Sequence, residues 1–283
     1  MAQPLYEFGG AAHLPVLHLA VANGFPPQTY IPLLQPLTTQ FRAVCLPPRA
    51  LWPGEHKPGE TGSWHDLAGD MLAGMEQYGL DRVVAVGHSF GGVASALAIM
   101  RQPKRFRALI LLDPTFLPPR IIWAIRISRL IGLDGRSGLV AGALRRRARF
   151  ASVDEAYGYF RGKRLFGDWP DASVRLYAEG MLRRAVEGEG FELAWPPAWE
   201  AHYFRTVYTG VWRVLPKLRG LLPTLVLRGG VTDTFVEESA AKLRRLLPEA
   251  RHVEIPGHGH LFPQSAPDAT RRAMLDWLRE IEG

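Results

Sequence analysis

Cysteine is almost absent from this chain of 283 residues, in which Cys45 is the only one. A single cysteine excludes an internal disulfide framework and a zinc site made of cysteine ligands. The sequence has no run of 18 apolar residues, so no segment is expected to span a membrane. Met1–Gly10 also lacks the basic and apolar stretches of a signal peptide. We therefore expect a cytoplasmic protein.

The overall composition is that of an ordinary globular protein, with 47% hydrophobic and 22% charged residues. It excludes disordered, collagen-like and coiled-coil chains. A chain of this length can form a single α/β core without a disulfide or a metal to stabilise it. The nine histidines leave a histidine–carboxylate metal site formally open, but no motif indicates one. We expect neither a metal nor an organic cofactor, in a monomer or a homodimer.

Positive charge is concentrated in one segment of the chain. From Arg101 to Arg149 there are twelve Lys or Arg and only two acids, Asp113 and Asp134, so this segment carries +10 while the whole chain carries +7. The favoured interpretation is a solvated, arginine-rich helical face. Attraction to anionic lipid or to an acidic substrate is the alternative. No DNA- or RNA-binding motif accompanies the charge, so we expect no nucleic-acid partner.

Short apolar runs alternate with helical patterns in the first half of the chain. The runs are apolar on both faces, which is typical of strands buried in a parallel sheet. They are Val16–Ala20, Phe41–Cys45, Val83–Gly87 and Ala108–Leu112. Helical patterns cover Trp64–Tyr78, with Ser63 as the expected N-cap, and Gly91–Gln102. This alternation predicts βαβ units and a mostly parallel sheet.

The alternation stops after Asp113 and returns near residue 223. Residues 114–222 are rich in Arg, Trp and Tyr, and they predict a helical insertion. The later elements are a strand at Thr224–Arg228, a helix at Val236–Leu247, a strand at Arg251–Ile255 and a helix at Pro267–Ile281. We therefore predict one α/β core, formed by residues 1–113 and 223–283, with a helical cap or lid formed by residues 114–222.

The strongest motif is Gly87-His88-Ser89-Phe90-Gly91-Gly92, which follows an apolar strand and begins a helix. A serine in a G-x-S-x-G sequence between strand and helix can expose its Oγ above the sheet as a nucleophile. Gly87 and Gly91 have no Cβ, so strand and helix can approach closely on either side. We predict that Ser89 is the nucleophile. The alternative is a glycine-rich turn that happens to contain a serine.

A serine nucleophile needs a general base, and histidine is the usual one near neutral pH. Two histidines follow the strand that ends at Ile255, in the sequence Pro256-Gly257-His258-Gly259-His260. His260 stands at the last turn before the final helix, and we favour it over His258 as the base.

The base in turn needs a carboxylate to orient it. Asp233 lies in the loop after Thr224–Arg228, and Asp113 ends Ala108–Leu112. Both positions are at carboxyl ends of strands, where ligand sites in open α/β sheets lie. We favour Asp233, because the chain order Ser, Asp, His places it beside His260. Asp113 is the alternative acid, unless it is only a turn residue before Pro114.

Acyl transfer also needs two N–H donors for the developing oxyanion. We expect one to be the backbone N–H of Phe90, the residue after the nucleophile. The other is expected in the loop Ala22–Pro27, where we choose the Phe25 N–H, with Val21 or Ala22 as alternatives.

Together these motifs resemble the α/β-hydrolase superfamily over nearly the whole chain. The resemblance rests on GHSFGG, the late Asp in LVLRGGVTDT, Gly259-His260, and NGFP in the place of the family's His-Gly turn. It implies a mostly parallel, doubly wound sheet with a cap inserted after the sixth-strand position. Three features depart from the family pattern: Asn23 replaces its histidine, Pro47–Gly54 replaces its D-x-G-x-G-x-S loop, and the short N-terminus leaves the first of eight strands in question.

The nucleophile narrows the activity that this resemblance implies. Epoxide hydrolases and haloalkane dehalogenases of this fold use Asp at the elbow, so Ser89 argues against both. We expect a capped serine hydrolase resembling carboxylesterases and lipases, with a Ser-His-Asp catalytic triad acting on a small-molecule ester of small to medium apolar groups. Carbon–carbon bond hydrolase, thioesterase, lactonase and lipase activities are alternatives with the same triad. A small-molecule receptor of this fold is the alternative of another class.

The predicted cap holds five of the eight tryptophans and five tyrosines. We expect most of these aromatic side chains to pack in the core and some to face Ser89. The apolar run from Ile121 to Ile131 contains two arginines and is too short to span a bilayer. We expect it to pack on the core, with an interfacial lid helix as the alternative.

Overall fold

The computed structural model describes residues 3–282, and ten strands occur among them. They are β1 (Tyr6–Gly9), β2 (Val16–Ala20), β3 (Arg42–Cys45), β4 (Val83–His88), β5 (Phe106–Leu112), β6 (Arg149–Phe150), β7 (Leu182–Arg184), β8 (Phe191–Leu193), β9 (Thr224–Gly229) and β10 (Arg251–Ile255). Seven of them form the central sheet in the order β1-β3-β2-β4-β5-β9-β10. All neighbours in this sheet are parallel except β1 and β3. The predicted mostly parallel sheet is confirmed.

Twelve α-helices occur in the same residues. They are α1 (Ile31–Leu34), α2 (Trp64–Gln77), α3 (Phe90–Arg101), α4 (Pro119–Leu130), α5 (Gly138–Leu144), α6 (Val153–Arg161), α7 (Asp171–Met181), α8 (Pro197–Arg205), α9 (Val211–Val214), α10 (Glu237–Leu246), α11 (Phe262–Ser265) and α12 (Pro267–Glu282). Ser63 caps α2 as predicted, because its hydroxyl accepts the His65 N–H at 3.2 Å. None of the helices in residues 3–282 is long and apolar enough to cross a bilayer.

The middle strands β2, β4 and β5 are buried almost completely. Their continuous apolar sequences are explained by helices that cover both faces of the sheet, as is usual for parallel strands. Because these strands run in parallel, their carboxyl ends meet at one edge of the sheet. Residues that directly follow β2, β4, β5 and β9 are therefore brought together there.

Two parts of the fold differ from the sequence prediction. The edge strand β1 was not predicted, and residues 114–222 are not wholly helical, because β6, β8 and β7 form a small antiparallel sheet among their helices. Strands of two or three residues are too short for a period-two pattern to show. The described residues contain no strand before β1, so the central sheet has seven strands there. Met1 and Ala2, part of the segment tested for a signal peptide, lie outside the described residues.

The insertion packs directly on the sheet core. Tyr177, Trp195 and Tyr203 are at most 1% exposed and belong to the same buried cluster as Leu17 of β2. Most of its aromatic side chains therefore form core, as expected. The division into core and cap domains at residues 114 and 222 stays a prediction.

The run Ile121–Ile131 packs on the core only in part. In α4, which contains most of this run, Ile122 is buried in the core cluster and Ile125 packs against it. The other apolar residues do not join them because they lie on several faces of one helix, and only one of those faces meets the core.

Candidate active site

Ser89 lies in the tight turn between β4 and α3. Its backbone has φ 57° and ψ −121°, a conformation that residues other than glycine rarely adopt. A Cβ added to Gly87 would lie 2.5 Å from the Cα of Gly92, and one added to Gly91 would lie 2.2 Å from the carbonyl oxygen of Ala20. The two glycines are therefore needed for the close approach of strand and helix, as the sequence predicts.

The turn brings the Ser89 hydroxyl to a histidine and a carboxylate. Ser89 Oγ lies 2.9 Å from His260 Nε2, and His260 Nδ1 lies 2.7 Å from Asp113 Oδ2. The Thr115 hydroxyl is also 3.1 Å from Ser89 Oγ, a contact with no sequence signal. When Nδ1–H donates to the carboxylate, Nε2 is left to accept the serine proton. This is the geometry of a nucleophile, its base and an orienting acid.

The structure places Asp113, and not Asp233, beside His260. Asp113 directly follows β5, the neighbour of the strand that ends just before Ser89, and its side chain is completely buried. Asp233 lies four residues beyond the end of β9 in an exposed position, and its carboxylate accepts a hydrogen bond from Thr234. The expectation that Asp233 orients the base is therefore corrected in favour of the alternative, Asp113.

The end of β9 and the loop after it nevertheless contribute to the site, because both donate hydrogen bonds to the Asp113 carboxylate. The Gly229 N–H donates to Asp113 Oδ1 at 2.9 Å, and the Thr232 hydroxyl donates to Oδ2 at 2.6 Å. Asp113 itself adopts φ 42°, an uncommon conformation that aspartate tolerates better than most residues. These bonds hold the carboxylate in one position beneath His260.

The two candidate histidines differ in their hydrogen-bond partners. His258 contacts the Ser265 hydroxyl at 2.9 Å through its Nδ1, away from Ser89. His260 is the histidine that bonds both Ser89 and Asp113, so the geometry agrees with the choice of His260.

The two expected oxyanion donors are placed differently. Phe90 begins α3, so its N–H has no acceptor within the helix, and its side chain lines the cavity above Ser89. The Phe25 N–H, in contrast, donates to the Ala22 carbonyl at 3.1 Å, and the Ala22 N–H donates to the Tyr30 hydroxyl at 2.9 Å. The choice of Phe25 therefore does not agree with this arrangement of the loop. Val21, the remaining alternative, is buried at the end of β2.

Comparison with known proteins agrees with the fold. The family model described as alpha/beta hydrolase fold matches residues 23–265. The chain belongs to the α/β-hydrolase family. A 2-(acetamidomethylene)succinate hydrolase from Mesorhizobium japonicum is 25% identical to this hydrolase over 250 residues, which are 87% of this chain and 82% of the relative.

Solved structures of two other hydrolytic enzymes have the same fold. The crystal structure of E-2-(acetamidomethylene)succinate hydrolase matches with a TM-score of 0.75 and 19% identity, covering 97% of this chain and 94% of that one. The enol-lactonase from Burkholderia xenovorans LB400 matches with a TM-score of 0.67 and 17% identity, covering 98% and 96%. At these identities the likeness establishes the fold, and the substrate has to be argued from the cavity.

A buried chain of hydrogen bonds connects the three loops of the hydrolase site. The His260 carbonyl lies 3.0 Å from His88 Nε2, and His88 Nδ1 lies 2.7 Å from the Tyr30 hydroxyl, which accepts the Ala22 N–H. The carbonyl can only accept, so His88 carries its proton on Nε2 and Tyr30 donates to Nδ1. The elbow, the histidine loop and the loop after β2 are thus held together by His88 and Tyr30.

We expect Tyr30→Phe to lower the free energy of unfolding by about 2–4 kcal/mol, because it leaves the Ala22 N–H and His88 Nδ1 buried without a partner. Urea unfolding followed by circular dichroism measures this loss. Tyr157→Phe, which alters a partly exposed tyrosine, is the matched control and should change stability by less than about 0.5 kcal/mol. Equal effects of the two changes would show that the buried chain contributes nothing.

Two buried histidines make the stability of this hydrolase depend on pH. Burial lowers the pKa of His18 to about 3, and burial together with the neighbouring His260 holds the pKa of His88 well below its ordinary value. Both remain neutral in the folded protein, whereas in the unfolded chain they bind protons below about pH 6.5. Their contribution is complete above that pH and is lost as the pH falls, by about 2 kcal/mol for His18 between pH 7 and 5.

The measurement is urea unfolding at pH 7 and pH 5. His18→Gln should reduce the loss of stability between the two pH values by about 2 kcal/mol relative to wild type. His13→Gln, at an exposed histidine, should leave the loss unchanged. If His18→Gln has the same pH dependence as wild type, burial of His18 does not cause it.

A cavity of about 810 Å³ lies over Ser89 and His260, within the usual size range of small-molecule sites. Its lining is mainly apolar, with Phe25, Trp64 and Phe90 from the core. The insertion contributes Leu117, Ile125 and Phe204, but none of its tryptophans or tyrosines, so the expectation that some of them face Ser89 is not met. The cavity suits an apolar group next to the reacting carbonyl.

The charged residues of the cavity lining are largely paired with one another. Arg146 forms an ion pair with Glu200, and Arg205 lies 3.8 Å from Asp134. Arg146 also donates to the Tyr177 hydroxyl, which in turn contacts the Gly24 carbonyl at 3.3 Å. These polar contacts between insertion and oxyanion loop could not be inferred from sequence spacing. Because both arginines face acids, neither is left unopposed for an anionic substrate.

Proposed function

We propose that this protein is a serine hydrolase that cleaves carboxylic esters of small to medium apolar substrates. The observation that carries the proposal is the bonded series Ser89, His260 and Asp113, which opens into a mainly apolar cavity. A nucleophile, a base and an orienting acid at these distances can form and break an acyl-enzyme when oxyanion donors assist them. The proposal departs from the sequence prediction in one residue, the acid.

In the proposed mechanism, Ser89 Oγ attacks the ester carbonyl while His260 Nε2 takes its proton. Asp113 holds the imidazole in the tautomer with a proton on Nδ1 and stabilises the charged ring. The Phe90 N–H and one N–H of the loop after β2 stabilise the oxyanion. His260 then protonates the leaving alcohol, and a water activated by His260 releases the acid from Ser89.

The apolar cavity distinguishes this site from the one that the relative's name implies. A succinate carries two carboxylates, which would need cationic partners in the cavity. The guanidinium groups of Arg146 and Arg205 already face Glu200 and Asp134. The cavity therefore favours an uncharged ester, and hydrolysis of the relative's type of substrate is the second candidate.

The test is hydrolysis of a p-nitrophenyl ester series, from acetate to long-chain acyl, with Ser89→Ala as the background control. We expect wild type to be much faster than the control, with the highest kcat/KM at an intermediate chain length that fills the cavity. Indistinguishable rates of the two proteins on every ester would overturn the ester proposal. Labelling of Ser89 by a fluorophosphonate then separates the cases: a labelled serine favours another acyl or carbon–carbon substrate, and an unlabelled one favours a receptor.

A further inference from the structure

Helix α4 exposes a row of large apolar side chains to solvent. Trp123, Ile127 and Leu130 lie at positions i, i+4 and i+7, which is one face of a helix, and they are 63%, 51% and 86% exposed. Single exposed apolar residues are common, but a contiguous row of this size usually marks an interaction surface. We call these three residues the outer row.

A different face of α4 lines the cavity above Ser89. The cavity-lining residues of this helix are Ile121, Ala124, Ile125 and Ser128. At about 100° per residue, they lie roughly opposite the outer row. The helix is therefore a single layer that separates the catalytic cavity from solvent, with apolar side chains on both sides.

Apolar side chains are also exposed at the mouth of the cavity. Ile121, Leu139 and Leu165 line the cavity and are 39%, 65% and 56% exposed. Residues that contact both solvent and the cavity lie at its entrance. The cap therefore exposes apolar side chains both on the outer row and at the cavity entrance.

Arginines flank the outer row and follow it along the chain. Arg120 and Arg126 flank the outer row on the helix, and Arg120 forms an ion pair with Glu238. Arg126 and the exposed Arg136 and Arg145 after the helix have no acidic partner among the described residues. Tryptophan and aliphatic residues flanked by arginine are typical of helices that lie in a membrane interface.

We propose that this face of the cap docks on an anionic lipid surface, with the outer row inserted among the lipids. Charge complementarity decides between this occupant and a second copy of the chain. A symmetric dimer through this face would bring the exposed arginines Arg126, Arg136 and Arg145 of two copies together, whereas anionic headgroups neutralise them. The docked orientation places the cavity entrance against the lipid.

The consequence for substrate rests on the proposed function. An apolar ester dissolved in the bilayer can pass from the lipid through the entrance between Ile121, Leu139 and Leu165. The substrate class is then an ester that partitions into membranes. Docking itself needs no catalysis, so it can be tested separately.

The test uses Ser89→Ala protein and co-sedimentation with phosphatidylglycerol or phosphatidylcholine vesicles. We expect binding to phosphatidylglycerol that weakens with added salt, and little binding to phosphatidylcholine. Adding Trp123→Gln, Ile127→Gln and Leu130→Gln should weaken binding by about tenfold or more. The matched control adds Val186→Gln and Leu221→Gln, at residues that are 80% and 43% exposed elsewhere, and should bind as the parent does.

Three results would overturn the docking proposal. The first is that the parent protein fails to bind phosphatidylglycerol vesicles, and the second is that the triple variant binds as well as the control. The third is a dimer in sedimentation velocity that only the triple variant loses, because the outer row would then be a contact between copies. Vesicle binding without ester hydrolysis by wild type would overturn the proposed function alone. Circular dichroism checks that the triple variant is folded.

Discussion

Ser89→Ala is expected to lower kcat on the best ester substrate by about 10⁴- to 10⁶-fold. Without the hydroxyl no acyl-enzyme can form, and the rate that remains comes from the oxyanion donors and from substrate binding. KM should change little, because the cavity lining is unaltered. The fold should also persist, since alanine can occupy the same turn without adding any atom to the close contact between β4 and α3.

Ser95→Ala is the matched control for this prediction. Ser95 lies on α3, is completely buried, and its hydroxyl has no hydrogen-bond partner among the described residues. Steady-state kinetics should show nearly wild-type activity for Ser95→Ala, and thermal unfolding should show that both variants are folded. More than about one per cent of wild-type activity in Ser89→Ala would mean that another group is the nucleophile.

The second large effect is expected at Asp113, where Asp113→Asn should lower kcat by about 10⁴-fold. Asp113 Oδ1 accepts from Gly229 and Oδ2 accepts from Thr232 and His260. An amide group in place of Oδ2 would donate to His260 Nδ1 and move the histidine proton to Nε2, where it blocks acceptance of the serine proton. In the opposite orientation the amide would meet the Gly229 N–H, so neither orientation preserves the site.

Asp233→Asn is the matched control, because Asp233 is the other aspartate at this edge of the sheet. Its exposed carboxylate contacts Thr234 and not His260, so kcat should stay within a few-fold of wild type. Kinetics of the two variants on the same ester decide between the two acids. Near-ultraviolet circular dichroism confirms that Asp113→Asn, at a buried position, is still folded. A large loss in Asp233→Asn with little loss in Asp113→Asn would contradict the structure.

The parts of this fold that could be predicted from the sequence are those with strong local patterns. The apolar runs of β2, β4 and β5 read as buried parallel strands because each is apolar on both faces. Ser89 could be identified because Gly87 and Gly91 have a steric purpose there. His260 followed from its position after β10 in the chain order.

The acid could not be chosen correctly, because two aspartates occupy similar positions after parallel strands. What distinguishes them is three-dimensional: β5 lies directly beside β4, and the end of β9 and the loop after it donate the Gly229 N–H and the Thr232 hydroxyl to Asp113. Chain order fits both residues, since each lies between Ser89 and His260. The sequence contains no local signal for the bonds that surround one carboxylate and leave the other exposed.

The surface of α4 and the acceptors of the oxyanion loop also escaped prediction. An apolar helix pattern does not say which face meets the core, and that is decided by neighbouring elements far along the chain. The bond from the Phe25 N–H to the Ala22 carbonyl depends on the turn that the loop adopts.

Because Asp113 directly follows β5, only a short part of the chain determines the distance between Asp113 and Ser89. Ser89 and Asp113 stand at the two ends of one crossover, separated by α3 and β5, and the Ser89 N–H donates to the carbonyl of Leu112, the residue before Asp113. The proposed nucleophile and acid thus lie at the ends of a segment of 25 consecutive residues, and two adjacent central strands set their spacing. His260 alone arrives from a distant part of the chain. Insertions in the cap or after β9 therefore alter the approach to the site and the placement of the base, while the spacing of nucleophile and acid stays constant.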